Sequence, residues 1–459
     1  MHSVNKGLVI SIALAAVFLL YFPVLGNGFL TDDYAALYRL LIQKRVLFEE
    51  MVRPLIDISF YFNYLIFGLH PGGYYVFNLC IHALSCFMVY RVALDLPVFD
   101  DRRQRVFALT AAFLFLFYPF HNEGVVWLSG RLSSMAALFG LMALHFSLTK
   151  RWPWNVVLAV GCWWIGLFAY ESILILPGVV LLFEWIKFRD VRRGLRSFAV
   201  WAVAGLLWLG MRYVAAGALL PSYGQSGLAG DAVWLRFVKV LGRCFLPPEE
   251  NTRLMMGLFV VVLLVLALVH VVVWRLGAGG RRVLVVLEIG FLLSLLPAIA
   301  FEVSTRTSEG DRLLYFPSCL LCWLAAALLV RMLSGWRLLI CGIYLVASVV
   351  FIELNNQRWV FASRTAEAAL SILRRSSGRV VLVNAPDEWE GAYIFRNNFK
   401  EGLVVNGIDT NRVRVSHVLT RLEYLRAEGP IVPVREDSLF AEGRVYYWNK
   451  YEWKELILH

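Results

Sequence analysis

The chain contains, between Leu254 and Trp274, the apolar stretch LMMGLFVVVLLVLALVHVVVW. None of its residues is an aspartate, glutamate, lysine or arginine. A helix of about 20 apolar residues is long enough to cross the hydrocarbon core of a bilayer. This stretch therefore predicts a membrane-spanning helix, and it decides the class of fold.

The composition of the whole chain agrees with that class. Of its 459 residues, 59% are hydrophobic and 17% are charged, and the mean hydropathy is +0.66. Soluble domains average about 45–50% apolar and about 25% charged residues. The sequence thus excludes a soluble globular enzyme, a disordered protein and a disulfide scaffold. We attribute the net charge of +11 to basic cytoplasmic loops and expect no nucleic-acid partner.

Ten further apolar segments raise the expected number of transmembrane helices to about eleven. Basic residues are concentrated in alternate loops, which predicts a cytoplasmic N-terminus and an extracytoplasmic C-terminus. The expected fold class is an α-helical polytopic membrane protein. The predicted spans are Leu8–Gly26, Tyr74–Leu94, Val106–Phe120, Leu132–Leu148, Val156–Tyr170, Ile173–Ile186, Phe198–Ala216, Leu254–Trp274, Val283–Phe301, Leu313–Val330 and Leu338–Leu354.

The change in composition after these spans predicts two domains. Residues 1–354 form a transmembrane domain with a long outer loop at residues 27–73, and residues 355–459 are charged and lack long apolar runs. Helical and strand-like patterns in the second region predict a small extracytoplasmic α/β domain. These patterns occupy Arg358–Arg375, Val380–Val383, Arg412–His417 and Val445–Trp448.

Charged residues cluster at the predicted outer ends of the spans. A charged side chain near a bilayer is costly unless it is paired or faces water, so these residues are candidates for function. The cluster combines carboxylates, a histidine and several arginines. The candidate site residues are Asp32, Asp33, Arg53, His121, Glu123, Arg131, Glu171, Glu309, Asp311 and Arg312.

This combination of groups suits sugar transfer from a lipid-linked phosphate. A carboxylate can deprotonate an acceptor hydroxyl, and a positioned base accelerates a reaction by about 10²–10⁴-fold. Asp33 is the expected base, with Asp32 as its partner or alternate. Arginines can hold the phosphate through charge-assisted, bidentate hydrogen bonds. The same carboxylates could instead bind a divalent metal, which we leave open. A nucleotide-sugar donor is not expected, because the sequence has no Rossmann glycine motif and no P-loop.

Several candidates also have a structural interpretation. Thr31 or Asp32 can cap the helix that follows. Arg312 can belong to an ion pair at a helix start, although an arginine there opposes the helix dipole, which favours a ligand for it. Asn78 and His82 are four residues apart on one helix face and predict hydrogen bonds to a neighbouring helix.

Four stretches, in this order, resemble motifs of the GT-C superfamily of membrane glycosyltransferases. The likeness is greatest to the protein O-mannosyltransferases, including the transmembrane, tetratricopeptide-repeat group, and it covers about residues 1–330. It implies a polyprenyl-phosphate sugar donor, an acidic first-loop base at Asp33 or Asp32, and a donor-phosphate contact at Arg312. The stretches are Phe29–Tyr34, Arg53–Leu55 with Gly68–His82, Pro119–Glu123 with Ser129–Arg131, and Asp311–Ser318.

The resemblance implies inverting transfer of a hexose, mannose in the best-known members, to a protein serine or threonine. Residues 355–459 show no tetratricopeptide pattern, so a lipid or a cell-envelope glycan is the alternative acceptor. A secondary transporter and a non-catalytic membrane scaffold are the alternatives from other classes. The expected location is a bacterial inner membrane, with membrane lipid around the spans.

Overall fold

The computed structural model describes residues 6–47, 52–149, 154–219, 232–274, 278–301, 303–417 and 443–456. Most of these residues are helical. The α-helices are α1 (Lys6–Leu20), α2 (Asp32–Tyr38), α3 (Pro54–Phe67), α4 (Pro71–Asp95), α5 (Asp101–Leu116), α6 (Glu123–Val126), α7 (Arg131–Ser147), α8 (Trp154–Leu167), α9 (Leu176–Phe188), α10 (Val191–Ala216), α11 (Ala232–Arg243), α12 (Thr252–Trp274), α13 (Ala278–Ser294), α14 (Leu296–Phe301), α15 (Tyr315–Leu329), α16 (Ser334–Arg375) and α17 (Phe399–Val405).

Six helical segments in the described part of the chain are long and apolar enough to cross a membrane. Each of the eleven predicted spans overlaps an observed helix, but the number that cross a membrane stays a prediction. The six segments are Pro71–Asp95, Arg192–Ala216, Arg253–Val271, Arg281–Phe301, Asp311–Leu329 and Ser334–Arg375.

Two of the helices differ in extent from the predicted spans. The segment predicted as Val283–Phe301 is divided between α13 and α14, where Pro297 occupies the second position of α14 and supplies no backbone N–H to the preceding turn. The helix of the last predicted span, Leu338–Leu354, continues without a break through the predicted helix Arg358–Arg375, and the two form α16. No proline or glycine lies between Gly342 and Gly378, so nothing in the sequence interrupts the helix.

The chain forms two compact units, each assembled from three segments. The helical unit contains Met1–Phe22, Leu47–Ser59 and Tyr75–Asn355. The sheet unit contains Pro23–Val46, Phe60–Tyr74 and Asn356–His459. Parts of the predicted outer loop at residues 27–73 therefore belong to the same unit as the C-terminal region.

The sheet unit contains a four-stranded mixed sheet in the order β4-β1-β5-β6. Strand β1 is parallel to both β4 and β5, while β6 is antiparallel to β5. All four residues of β1 are buried, as expected for an apolar central strand covered on both faces. The strands are β1 (Val380–Val383), β2 (Glu388–Trp389), β3 (Ala392–Tyr393), β4 (Val413–Ser416), β5 (Arg444–Trp448) and β6 (Trp453–Leu456), of which β2 and β3 pair separately.

Candidate active site

The ten candidate residues are distributed over both units. Asp32 and Asp33 lie in the sheet unit, at the start of α2. All the candidate arginines lie in the helical unit, together with the histidine and the other acids. The members of this second group are Arg53, His121, Glu123, Arg131, Glu171, Glu309, Asp311 and Arg312.

The turn before α2 has an unusual backbone conformation. Thr31 has a φ of 38°, which is rare for a β-branched residue and costs on the order of 1–3 kcal/mol. Its hydroxyl accepts a hydrogen bond from the Asn397 N–H at 3.1 Å and donates one to the Asn397 carbonyl at 3.3 Å. These bonds occupy the hydroxyl, so Thr31 does not cap α2 with its side chain. They also fix the backbone that carries the two acids.

Asp32 and Asp33 have different surroundings within the sheet unit. Asp33 is fully buried, and its Oδ2 accepts the Leu30 N–H at 3.0 Å. Asp32 is half-buried, and its Oδ1 accepts a hydrogen bond from Asn398 Nδ2 at 2.7 Å. A carboxylate that removes a proton from a substrate must be within reach of that substrate. Asp32 is therefore the more accessible of the two acids.

Ion pairs hold several of the candidate carboxylates in the described part of the helical unit, and the first joins Glu123 to Arg312. Glu123 begins α6 and its side chain is fully buried. One carboxylate oxygen, Oε2, accepts the backbone N–H of Arg312 at 3.0 Å, and the other pairs with the Arg312 guanidinium. The guanidinium also lies 5.4 Å from the centre of the Trp127 ring, within range of a cation–π contact. Glu123 thus fixes both the backbone and the charged end of Arg312.

Glu171 forms ion pairs with two arginines at once. It lies in a short 3-10 turn between α8 and α9, at the junction of the predicted spans Val156–Tyr170 and Ile173–Ile186. Its Oε2 is 3.0 Å from Arg53 Nη2, and its Oε1 is 2.5 Å from Arg212 Nη1. The Arg53 guanidinium also lies 4.8 Å from the centre of the Tyr170 ring. The structure therefore brings together the predicted residues Arg53 and Glu171, and it adds Arg212 from α10.

Two further arginines of the helical unit are fully buried. Arg243 Nη2 is 2.6 Å from Asp311 Oδ1, and both side chains are inaccessible to solvent. Arg131, at the start of α7, donates from Nε to the Leu128 carbonyl at 2.9 Å and from Nη1 to the Ser59 hydroxyl at 3.4 Å. These contacts give both arginines a role in holding loops in place.

His121 lies in a buried aromatic cluster. Its ring stacks on Tyr315 with centroids 4.6 Å apart, and its Nδ1 is 3.0 Å from the Ser318 hydroxyl. Among the described residues, its Nε2 has no hydrogen-bond partner. Burial lowers the pKa of His121 well below 6.5, and the nearby ring of His82 lowers it further. His121 is therefore neutral at physiological pH.

The predicted hydrogen bonds of Asn78 and His82 are present. Asn78 Nδ2 donates to the carbonyls of Val125 and Trp127, at 3.2 Å and 3.1 Å. His82 Nδ1 is 2.7 Å from the Tyr315 hydroxyl. Asn78 thereby anchors the loop that carries Glu123, while His82 orients the tyrosine on which His121 stacks.

Glu309 is half-buried in the loop before Asp311, where its carbonyl accepts the Ser304 N–H at 3.0 Å. The described residues contain no group of three histidine, cysteine, aspartate or glutamate side chains arranged to hold a metal ion. Metal binding by the acidic pair stays an expectation of the sequence.

The sequence reasoning missed the residues that hold the predicted ones. Arg212 carried a usable signal, because an arginine inside the predicted span Phe198–Ala216 is expensive unless it has a partner. Arg243, Asn397 and Asn398 carried none, because their partners are distant in sequence. Asn398, for example, contacts an acid 366 residues away.

Comparisons with known proteins show partial sequence similarity to one group of enzymes. No family model matches the chain. It is 35% identical over 91 residues to the protein O-mannosyl-transferase Tmtc1 of Drosophila melanogaster, covering 20% of this chain and 10% of that protein. It is 26% identical over 200 residues to TMTC2 of Mus musculus, covering 39% of this chain and 23% of that protein. The chain resembles the protein O-mannosyltransferases. It spans about a tenth to a quarter of the length of these O-mannosyltransferase relatives.

A solved structure supports the same fold. The arabinofuranosyltransferase AftD from Mycobacteria superposes with a TM-score of 0.50 at 13% identity, covering 91% of this chain and 32% of that chain. At this identity the likeness shows the fold alone, which is mostly helical. The six long apolar helices identify the chain as an integral membrane protein.

Proposed function

We propose that this chain is a membrane glycosyltransferase that moves a hexose, expected to be mannose, from a polyprenyl-phosphate donor to a hydroxyl acceptor with inversion. The resemblance to O-mannosyltransferases supports the reaction class. Loop charge predicts that the reaction occurs on the extracytoplasmic face, and the membrane we propose is a bacterial inner membrane.

The arrangement of Arg312 is the observation that carries this proposal. Its side chain is 22% exposed, although Glu123 holds both its backbone N–H and its guanidinium. A fixed cation of this kind can stabilise the charge of a departing phosphate without reorganising during the reaction. Arg53, 13% exposed and held by Glu171, is the second candidate for a phosphate or sugar contact.

In the proposed reaction, an acceptor oxygen attacks C1 of the sugar as its proton passes to a carboxylate. The bond between C1 and the phosphate oxygen breaks, and polyprenyl phosphate leaves with its charge next to Arg312. We assign the base to Asp32, since it is more accessible than Asp33, which was preferred on sequence grounds. Asp33 then holds the turn through its bond to Leu30.

The other candidates position these groups in the proposal. Glu123 and Glu171 orient arginines, and Arg131 holds the loop before α7. The remaining candidates help to hold the loop and the aromatic cluster next to Arg312. They are His121, Glu309 and Asp311.

The test is sugar transfer from a radiolabelled polyprenyl-phosphate-mannose donor in membranes containing the wild-type chain or variants. We expect Asp32→Asn to lower the rate at least about 100-fold through loss of the base. We expect Arg312→Ala to lower it by about 10²–10³-fold through loss of charge stabilisation. Arg306→Ala, which changes an exposed arginine of the same loop, and Asp409→Asn, which changes an exposed acid of the sheet unit, are the matched controls.

Equal rates in the wild type and Asp32→Asn, at equal expression, would contradict the proposed base. An Arg306→Ala effect as large as that of Arg312→Ala would show that charge in the loop matters generally and would contradict a specific phosphate contact. Absence of transfer by the wild type, with a second enzyme confirming that the donor is active, would contradict the proposed donor.

A further inference from the structure

The sheet unit contains a cleft of about 400 Å³ at one end of its sheet. Its walls come from the loop after β1, the end of β4 and the start of α17. The volume lies within the range of about 300–1,000 Å³ that is usual for small-molecule sites. The cleft is lined by the polar residues Asp387, Arg396, Asn398, Lys400, Glu401 and His417.

The cleft lies beyond the carboxyl ends of the parallel strands β1 and β4. In open α/β sheets, ligands bind outside the carboxyl ends of the strands, at the point where the strand order reverses. The order β4-β1-β5 reverses between β1 and β5, so the cleft is at the ligand-binding end of the sheet but one strand away from that point. What the cleft can hold therefore follows from its lining residues.

The cleft is also one side chain from the proposed base. Asn398 lines it, and the same residue donates a hydrogen bond from Nδ2 to Asp32 Oδ1 at 2.7 Å. The preceding residue, Asn397, forms both hydrogen bonds to Thr31. A molecule in the cleft is thereby linked to the acidic turn by direct contacts within the sheet unit.

The chemistry of the walls matches hydroxyl groups, which both donate and accept hydrogen bonds. Arg396 and Lys400 supply donors, and Asp387 and Glu401 supply acceptors, so the two signs of charge balance. Such a wall suits a neutral ligand better than a phosphate. Two aromatic rings of the lining, Phe395 and Phe399, are 4.9 Å apart and offer an apolar surface for the carbon face of a sugar ring.

A peptide acceptor would use a different feature of the unit. Peptides that bind to sheets usually pair their backbone with an edge strand. The cleft lies beyond the strand ends and presents side chains in place of a row of backbone groups. The observations therefore favour a carbohydrate over a peptide in this position.

We infer that the cleft holds one or two sugar rings of a neutral glycan acceptor and directs a hydroxyl towards Asp32 beside Asn398. The sugar-binding part rests on the cleft alone, while the direction towards Asp32 rests on the proposed function. The acceptor class is thus a neutral glycan.

The test is photoaffinity labelling of the full-length chain in lipid nanodiscs. The probes are disaccharides of mannose, glucose and galactose that carry a diazirine on the aglycone, with the labelled peptides located by mass spectrometry. We expect at least one probe to label residues 385–401. Asp387→Asn and Lys400→Ala should each lower the labelling about tenfold, as loss of a hydrogen bond to a charged group does.

Matched variants at the opposite edge of the sheet are the controls. Glu455→Gln and Lys454→Ala change the same residue classes on β6 and should leave labelling unchanged. Asp32→Asn should keep the label while transfer is lost, which separates binding from catalysis. If the wild type binds the probe but transfers no sugar, the proposed function fails and the sugar site stands.

Three results would overturn the inference. These are labelling outside the cleft, equal labelling of the cleft and control variants, and the absence of label with all three disaccharides. Labelling of the cleft by a diazirine-tagged serine/threonine peptide, with none by the disaccharides, would assign it to a peptide and overturn the glycan class.

Discussion

The arginine side chains of the helical unit differ in their exposure to solvent. Arg312 and Arg53 keep part of their surface exposed, whereas Arg212, Arg243 and Arg131 are buried. A guanidinium has five donors, so an exposed arginine can hold a carboxylate and still contact a phosphate. Exposure thus separates arginines that can reach a ligand from those that hold the structure.

Glu171 should be important for stability, because it is buried between two cations. Glu171→Gln keeps its shape but removes the charge that compensates Arg212, whose side chain is 2% exposed. Breaking a buried pair in this way costs about 3–5 kcal/mol. Thermal unfolding in detergent should show a clear fall in Tm. Glu452→Gln, at a site 62% exposed and paired with Lys454, should change it little. Equal shifts would argue against a buried network.

His121 should make stability depend on pH. Burial lowers its pKa in the folded chain, whereas the unfolded value is about 6.5. Below pH about 6.5 the unfolded chain binds a proton that the folded chain does not, so stability falls by up to about 1.4 kcal/mol per pH unit. Above pH about 6.5, both states are neutral and the contribution is constant.

The corresponding measurement is Tm between pH 7.5 and 5. His121→Gln should lower Tm at every pH because it loses the contact with Tyr315, but it should flatten the decline towards pH 5. His417→Gln, at an exposed position, should leave the decline as steep as in the wild type. An unchanged slope in His121→Gln would contradict the assignment.

For single residues, the sequence indicated which charged groups need a partner better than it indicated which partner each group has. Apolar surroundings singled out Glu123, Glu171 and Arg312, since each charge near a predicted span requires a partner. Choosing the partner requires the packing of elements that are distant along the chain. Arg312 pairs with an acid 189 residues away, and no local pattern encodes that separation.

Among the elements, the loop between α6 and α7 depends on a glycine. A Cβ atom on Gly130 would lie 2.4 Å from the Glu123 carbonyl oxygen, a backbone atom that cannot move aside as a side chain does. Gly130→Ala should therefore displace the loop between Glu123 and Arg131. We expect a loss of about 1–3 kcal/mol in stability, the usual cost of overpacking, together with loss of sugar transfer.

Gly140→Ala, within the helix α7 that follows this loop, provides the comparison. A Cβ there would meet its nearest atoms at 3.6 Å, an ordinary contact, and alanine favours helix more than glycine does. Tm and the transfer rate should stay close to wild type. A Gly130→Ala variant as stable and active as Gly140→Ala would show that the close approach does not constrain the loop.

Element positions were more predictable than element ends. Four consecutive apolar residues, three of them β-branched valines, predicted a strand at Val380–Val383, and the structure has β1 there. A span ending at Leu354 and a separate helix at Arg358–Arg375 were predicted, and the structure joins them in one helix, because falling hydropathy marks the end of an apolar surface and not of a helix. The helix ends at Arg375, three residues before Gly378, whose φ is 93°.

On the scale of the whole molecule, the first-loop residues and the C-terminal region form one unit. Gly28 donates its N–H to the Ser363 hydroxyl at 2.8 Å, and the ring of Tyr34 lies against Gly402 in α17. The sequence could not predict that the first loop packs with the C-terminal region, since this depends on which apolar surfaces meet after folding. Removing the C-terminal region should therefore also damage the acidic turn.

A chain cut after Asn355 should show that damage. Without α17 and the Asn397 contacts, residues 27–47 lose their packing, and trypsin should cleave after Arg39 or Lys44 at least about tenfold faster, as local opening becomes easier. Cleavage after the exposed Arg306 of the helical unit is the internal reference. Unchanged protection of residues 27–47 would show that the first loop holds its structure without the C-terminal region.

The hydrogen bond between Asp32 and Asn398 can form only late in the synthesis of these 398 residues. The ribosome makes the acid first and its partner 366 residues later, which at about 5–20 residues per second is a delay of about 20–70 s. During that interval the nascent chain carries the proposed base in a segment that lacks its supports. Under the proposed function, a message truncated anywhere before Asn398 yields a chain whose proposed base lacks this partner, and sugar transfer begins only after Asn398 has been made.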